Sequence, residues 1–162
     1  PITRPQMYGP IWESDAFVFV GQHARAGIRD GNQNHTMSSL RVDYYKLNGR
    51  VIGEIAFVAL WAGVRDVPAI FLSGDVAACQ EAEQEVPGIV TAAVKRGIST
   101  NVELALSAAG ARQLIQSKIR EAVEAHRTRP IQPLKCEGPY CLEIRFKSTQ
   151  DADLEEHTYG GL

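Results

Sequence analysis

The sequence predicts an α/β fold: a layered domain with a mostly parallel or mixed central sheet flanked by helices. Two short apolar runs, Ala16-Phe17-Val18-Phe19-Val20 and Ala69-Ile70-Phe71-Leu72-Ser73, have the length and composition of strands covered on both faces. Apolar stretches of helical length lie between and after them, so strands and helices alternate along the chain. That layout hosts many chemistries and names none by itself.

In chain order, the first strand ends in Gly21, and from Gly21 to Ser39 the chain is rich in Gly, Asn, His and Arg. A polar loop of that length is either functional or disordered. Leu40 to Leu47 alternates well enough for a strand, and Asn48-Gly49 is a strong hairpin signal leading back through Arg50-Val51-Ile52. Ile55 to Val64 is apolar nearly all round, which predicts a buried helix that ends before Pro68 and has Glu54 at its start. The strand over 69–73 passes through Gly74-Asp75 into a second helix of about ten residues that stops before Pro87. Ile89 to Val94 is a further strand candidate. Ser107 suits the N-cap of the most regular helix, whose Ala111, Leu114, Ile115, Ile119, Ala122 and Val123 recur at helical spacing and predict a face packed on a sheet. Arg129-Pro130-Ile131-Gln132-Pro133 reads as a stiff linker, and Cys141 to Phe146 alternates like a strand with one wet face. Asp151 to Leu162 has no periodicity.

At 162 residues the chain is long enough for one domain with a real core. Its net charge of -2, with no basic run, gives no electrostatic reason to expect nucleic acid or an anionic membrane as partner. No apolar stretch approaches the roughly 20 residues that span a bilayer, and the first residues lack the layout of a secretory signal, so the expected location is cytoplasmic. Three cysteines, Cys79, Cys136 and Cys141, argue against a disulfide framework and for a reducing compartment. Cys136 and Cys141 have a permissible zinc spacing, but no second Cys/His pair follows, and they read as two ordinary thiols. Pro1 followed by Ile2 invites comparison with tautomerases that use an amino-terminal proline as base, yet Pro5 and Gly9-Pro10 break the strand such enzymes need.

Three side chains stand out chemically. His23 follows the end of a buried strand, where ligands gather in α/β sheets, although a lone loop histidine is more often a hydrogen-bonded structural residue. His35 lies in a polar loop and suits either acid/base work or simple solvation. Glu54 is flanked by Val51-Ile52-Gly53 and Ile55-Ala56-Phe57, so its carboxylate needs a cation or several donors. Helix N-terminal amides would supply the donors in one reading, and a metal the cation in the other. Together the three form a histidine and carboxylate set of the kind zinc prefers. His126 and His157 read as surface residues without a role.

Val20-Gly21-Gln22-His23-Ala24-Arg25-Ala26, then His35-Thr36-Met37-Ser38, then Asn48-Gly49-Arg50-Val51-Ile52-Gly53-Glu54-Ile55 resemble, in order and spacing, the central motifs of the zinc-dependent D-aminopeptidases of the DppA family. Asp66-Val67-Pro68, Ser73-Gly74-Asp75, Glu81-Ala82-Glu83 and Thr91-Ala92-Ala93-Val94-Lys95 extend the resemblance over residues 1–146. It implies a binuclear zinc site, two Zn2+ per complete active site, in which His23 and Glu54 match two ligands and His35 matches a histidine that takes part in catalysis. It further implies hydrolysis of N-terminal, D-configured residues from short peptides by a homo-oligomeric ring. The family's upstream Asp-x-Glu and Asn-Asp-Ser-His-type segments, which supply the remaining ligands, have no match here. The expectation is therefore a partial chain, truncated at both ends relative to the family and inactive alone. Its organisation would be a metal-site-bearing α/β unit over 1–128, then a linker and the start of a β-containing segment over 129–162. The alternative is a non-catalytic, oligomer-forming or small-molecule-binding module that keeps the fold without a complete metal site.

Overall fold

The computed structural model describes residues 9–159. After a 3-10 turn at Gly9–Glu13, the order is β1 (Phe17–Gln22), β2 (Val42–Leu47), β3 (Arg50–Ile52), α1 (Glu54–Gly63), β4 (Ala69–Asp75), α2 (Val76–Glu85), β5 (Val90–Ser99), β6 (Val102–Ala105), α3 (Ala108–Thr128), β7 (Leu142–Phe146) and α4 (Thr149–Tyr159). The Pro1 reading falls outside the described residues, as does the side chain of His157.

All seven residues of β4 are buried, which is the reason its sequence is a near-continuous apolar run. It lies between β1 and β5 and pairs parallel with both, and β6 closes the order β1-β4-β5-β6 as an antiparallel hairpin on β5. The predicted mixed sheet flanked by helices is therefore the one observed. A second sheet, β3-β2-β7, is antiparallel throughout. Its first turn is Asn48-Gly49, both with left-handed φ (49° and 81°), the geometry that matches the twist of a two-residue hairpin and that glycine adopts without strain.

Helix α1 buries Ile55, Ala56, Val58, Ala59 and Ala62, so its all-round apolarity serves both the main core and the smaller cluster of Val42, Tyr45 and Ile52. Trp12 stacks on Trp61 at 4.0 Å and its Nε1 donates to the Trp61 carbonyl, fastening the first turn to α1. Asp75 caps α2 by accepting from the Ala78 amide, and Ser107 caps α3 by accepting from the Gly110 amide. Helix α3 packs on β4 and β5 through Ala122 and the partly buried Leu114, Ile115 and Ile119. Strand β1 is the outer strand of its sheet, with Val20 68% exposed.

Three elements differ from the sequence reading. Strand β1, expected to be covered on both faces, buries Phe17 and Phe19 but exposes Val18 and Val20, because it lies at the edge of its sheet. The strand expected over 89–94 runs on to Ser99 and turns into β6, and the aperiodic tail contains α4. All four residues of β6 are exposed, so it carries no burial pattern to read. Helix α4 is held by charge: Arg41 donates to Asp151 at 2.7 Å and to Glu155 at 3.2 Å.

Candidate metal centre

The site forms where three segments converge. His23 is the first residue beyond β1, Glu54 is the first residue of α1, and His35 sits in the loop between β1 and β2. Ala24 and Ile28 anchor the loop on the main core and Met37 on the smaller one, and polar groups fix the rest. The Asn32 amide donates to Asp75 Oδ2 at 2.6 Å, the Gln33 amide to the Thr100 carbonyl at 2.8 Å, and the His35 amide to the Ala24 carbonyl at 3.3 Å. Lys95 Nζ donates to Asn32 Oδ1 at 2.7 Å, and the buried Thr36 hydroxyl accepts from the Ala26 amide at 3.2 Å. Gly97 of β5 meets the loop backbone directly: a Cβ there would overlap the Asp30 carbonyl and lie 2.8 Å from the Asn32 nitrogen. Gln33 and Met37, on either side of His35, both have left-handed φ, a sparsely populated state for such residues.

The two histidines are prepared in the same way. His23 Nδ1 lies 3.0 Å from the Ala24 carbonyl, and His35 Nδ1 lies 2.7 Å from the Gln33 carbonyl. A carbonyl only accepts, so each Nδ1 carries a proton, and it is the tautomer with this arrangement that offers Nε2 as a donor atom. The rings stack with centroids 3.8 Å apart and planes at 23°. Both Nε2 atoms stand 3.8 Å from the same oxygen, Glu54 Oε1. That oxygen also accepts the Met37 amide at 2.7 Å.

Glu54 is 22% exposed, and its partner is a loop amide rather than an amide of its own helix. Gly53, the N-cap of α1, brings no side chain to cap the helix, and the acceptor role of Glu54 is toward the loop. Two imidazole Nε2 atoms and a carboxylate oxygen thus converge on one point, a donor set complementary to a cation. One atom from each of His23, His35 and Glu54 lies within 4.8 Å of the others. Zinc bonds of about 2.0–2.2 Å to nitrogen and oxygen sum to slightly more than the 3.8 Å separations, so the space between the donors suits such an ion.

Behind the cluster stand two acidic residues whose part the sequence reading missed. Asp75, fully buried, joins the α2 cap to the Asn32 amide. Glu81 is 8% exposed in the middle of α2, and its Oε2 accepts the Arg25 amide at 2.7 Å. Burial pushes the Glu81 carboxyl up to about 6, against the opposing pull of the Arg25 amide and charge. A sequence signal existed: Glu81 interrupts the small-residue face of Ala77, Ala78 and Ala82, all of which are buried.

Other reactive groups lie apart. Cys79 is buried, and burial raises its thiol to about 11, while Cys136 and Cys141 are free thiols on the 136–141 loop. His126, expected at the surface without a role, is half-buried and its Nδ1 accepts the Ile131 amide at 3.1 Å. A cavity of about 450 Å³ bounded by Leu47, Phe57, Trp61, Tyr140 and Leu142 shares no residue with the cluster.

A family model described as D-aminopeptidase matches residues 4–160. A D-aminopeptidase of Bacillus subtilis (strain 168) is 37% identical over 117 residues, which is 72% of this chain and 42% of that protein. The solved structure of the Zn-dependent D-aminopeptidase DppA from Bacillus subtilis, described as a self-compartmentalizing protease, matches with a TM-score of 0.84 and 32% identity. It covers 92% of this chain and 53% of that one. The chain thus spans about half the length of the relatives it matches.

Proposed function

The chain belongs to the D-aminopeptidase family, and on that premise we propose that it supplies part of a zinc-dependent aminopeptidase site that releases N-terminal, D-configured residues from short peptides. The observation that carries this reading is the convergence of the His23 and His35 Nε2 atoms on Glu54 Oε1, each at 3.8 Å, with both Nδ1 atoms already engaged by carbonyls.

In this reading His23 and Glu54 hold the metal. Zinc, when bound, polarises a carbonyl and acidifies water, which is the chemistry peptide hydrolysis needs at neutral pH. The Met37 amide orients Glu54 and draws electron density from the same oxygen that would face the ion. His35 Nε2 faces the same point, so its lone pair can take a proton from a water held there and then pass that proton to the leaving amine. The Gln33 carbonyl, by holding the proton on Nδ1, keeps Nε2 as the basic atom.

Among the described residues the cluster offers three donor side chains, fewer than two zinc ions require. The 162 residues alone are therefore proposed to be inactive, and the binuclear site to draw on further ligands. The proposal includes a homo-oligomeric ring, supported by the description of the relative as self-compartmentalizing. A cytoplasmic location fits three free thiols.

One observation favours a second reading. Val102, Leu104 and Leu106 are all exposed on and beside β6, as an oligomer-forming module without catalysis would have them. The discriminating experiment uses the 162 residues within the longest natural polypeptide that contains them. Zinc content and release of an N-terminal D-residue from a dipeptide are measured for the wild type, His23→Ala and Glu54→Ala. The enzymatic reading expects about two zinc ions and turnover in the wild type, with both lost in the variants. A well-folded, zinc-loaded but inactive wild type moves the conclusion to the assembly module.

A further inference from the structure

Resting on the reading that His23 and Glu54 hold a metal, we propose that Glu81 is a positioning residue whose buried carboxyl sets the spacing between the two ligand-bearing segments. Arg25 follows His23 by two residues and Gly53 immediately precedes Glu54, so the Glu81 carboxyl touches both segments just behind their ligands. Its Oε2 accepts the Arg25 amide at 2.7 Å. Its Oε1 lies against the Gly53 α-carbon so closely that a Cβ there would overlap it and would also come within 2.6 Å of Arg25 Cβ. Glu81, Arg25 and Gly53 therefore meet with no free space between them.

A side chain that merely filled this space would be apolar, because burying a carboxyl costs free energy that a leucine does not incur. The carboxyl brings an acceptor for the Arg25 amide, and Oε1 has no hydrogen-bond partner of its own among the described residues. One oxygen is thus fixed by a hydrogen bond and the other is pressed on backbone. The same helix grips the loop a second time through its cap, where Asp75 accepts the Asn32 amide three residues ahead of His35. Helix α2 is in this way a rigid bar with one carboxylate toward each histidine-bearing segment. Groups that orient ligands from behind typically change metal affinity by about 10–100-fold when removed.

The test uses the full chain and its Glu81→Ala and Glu81→Gln variants. Zn2+ affinity is measured by competition with a chromophoric chelator, and the visible spectrum of the Co2+-loaded protein reports ligand geometry. Glu81→Ala is expected to weaken Zn2+ by about 10–100-fold and alter the Co2+ spectrum, while Glu81→Gln, which keeps an acceptor for Arg25, stays within about threefold of wild type. Unchanged affinity and spectrum in a folded Glu81→Ala protein, or no rescue by glutamine, overturns the proposal. If Glu81→Ala does not fold, Gly53→Ala replaces it, because its Cβ enters the same space and the same loss is expected. If the wild type binds no Zn2+, the metal reading fails, and the clamp is judged without metal from the ring NMR shifts of His23 and His35. Movement of the His23 ring on Glu81→Ala supports it, and unmoved rings overturn it.

Discussion

The imidazoles of His23 and His35 lie face to face, 3.8 Å between centroids, yet their Nδ1 protons point to different carbonyls, those of Ala24 and Gln33. Each ring is therefore held independently, and either can be removed without releasing the other. His35→Ala in the complete enzyme should lower turnover by about 10²–10⁴-fold, the range for an acid/base group, with zinc content unchanged. Metal analysis alongside kinetics checks this. Loss of zinc would make His35 a third ligand, and an unchanged rate would make it a bystander.

Glu54 separates charge from hydrogen bonding. Glutamine at this position keeps an oxygen for the Met37 amide but removes the anion. Glu54→Gln should therefore unfold within about 0.5 kcal/mol of wild type when no metal is present, while zinc affinity falls more than about 100-fold, beyond the range of outer-shell changes. Glu54→Ala should in addition lose about 1–3 kcal/mol, because the Met37 amide is left without its acceptor. Denaturant titration and equilibrium dialysis separate the two effects, and equal stability of the two variants would contradict the hydrogen-bond assignment.

How much of this was legible in the chain depends on whether burial leaves a pattern. Strand β4 and helix α1 were readable because nearly every side chain in them is apolar and covered, and the β2–β3 turn because Asn48-Gly49 fits few other geometries. Strand β6 was not readable, since Val102, Glu103, Leu104 and Ala105 are all exposed and the strand is held by backbone pairing to β5. Helix α4 was not readable either: what fixes it is Arg41, more than a hundred positions away in sequence. At the site, composition singled out His23, His35 and Glu54 one by one, but only family resemblance suggested that they meet. Glu81 escaped because its one local trace, an acid set in the small-residue face of Ala77, Ala78 and Ala82, does not say what the carboxyl meets, which depends on where the start of α1 lands.

Glu81 also predicts a pH dependence. Its carboxyl titrates at about 6 in the folded chain, against an ordinary glutamate value of 4.5. A raised carboxyl pKa means that the folded state binds the proton more tightly than the unfolded state. Its stabilising contribution is present in full below about 4.5 and is lost as pH rises through about 6. The difference corresponds to about 2 kcal/mol. Relative to Glu81→Gln, the wild type should therefore lose about that much stability between pH 4 and pH 7.5 in urea unfolding. A gain over the same interval would mean that the Arg25 amide outweighs burial.

Asp75 gives the sharpest test of how α2 organises the loop, because one buried carboxylate serves two amides that belong to different segments. Oδ1 accepts from Ala78 and caps the helix, while Oδ2 accepts from Asn32 and ties down the loop ahead of His35. Alanine removes both acceptors. The lost cap costs about 1 kcal/mol and the stranded Asn32 amide about 1–3 more, so Asp75→Ala should destabilise by about 2–4 kcal/mol. Asparagine is isosteric but has a single acceptor oxygen, and its amide group would point a donor at whichever N–H is left over. Asp75→Asn should thus keep one of the two bonds and still cost more than about 1 kcal/mol. Amide hydrogen exchange identifies the bond that is lost. Faster exchange at Asn32 with Ala78 protected means that the helix keeps its cap and the loop is released, in which case the ring resonances of His35 should broaden or shift as well. If both amides stay protected in Asp75→Asn and stability is unchanged, the carboxylate is not what joins the helix to the loop.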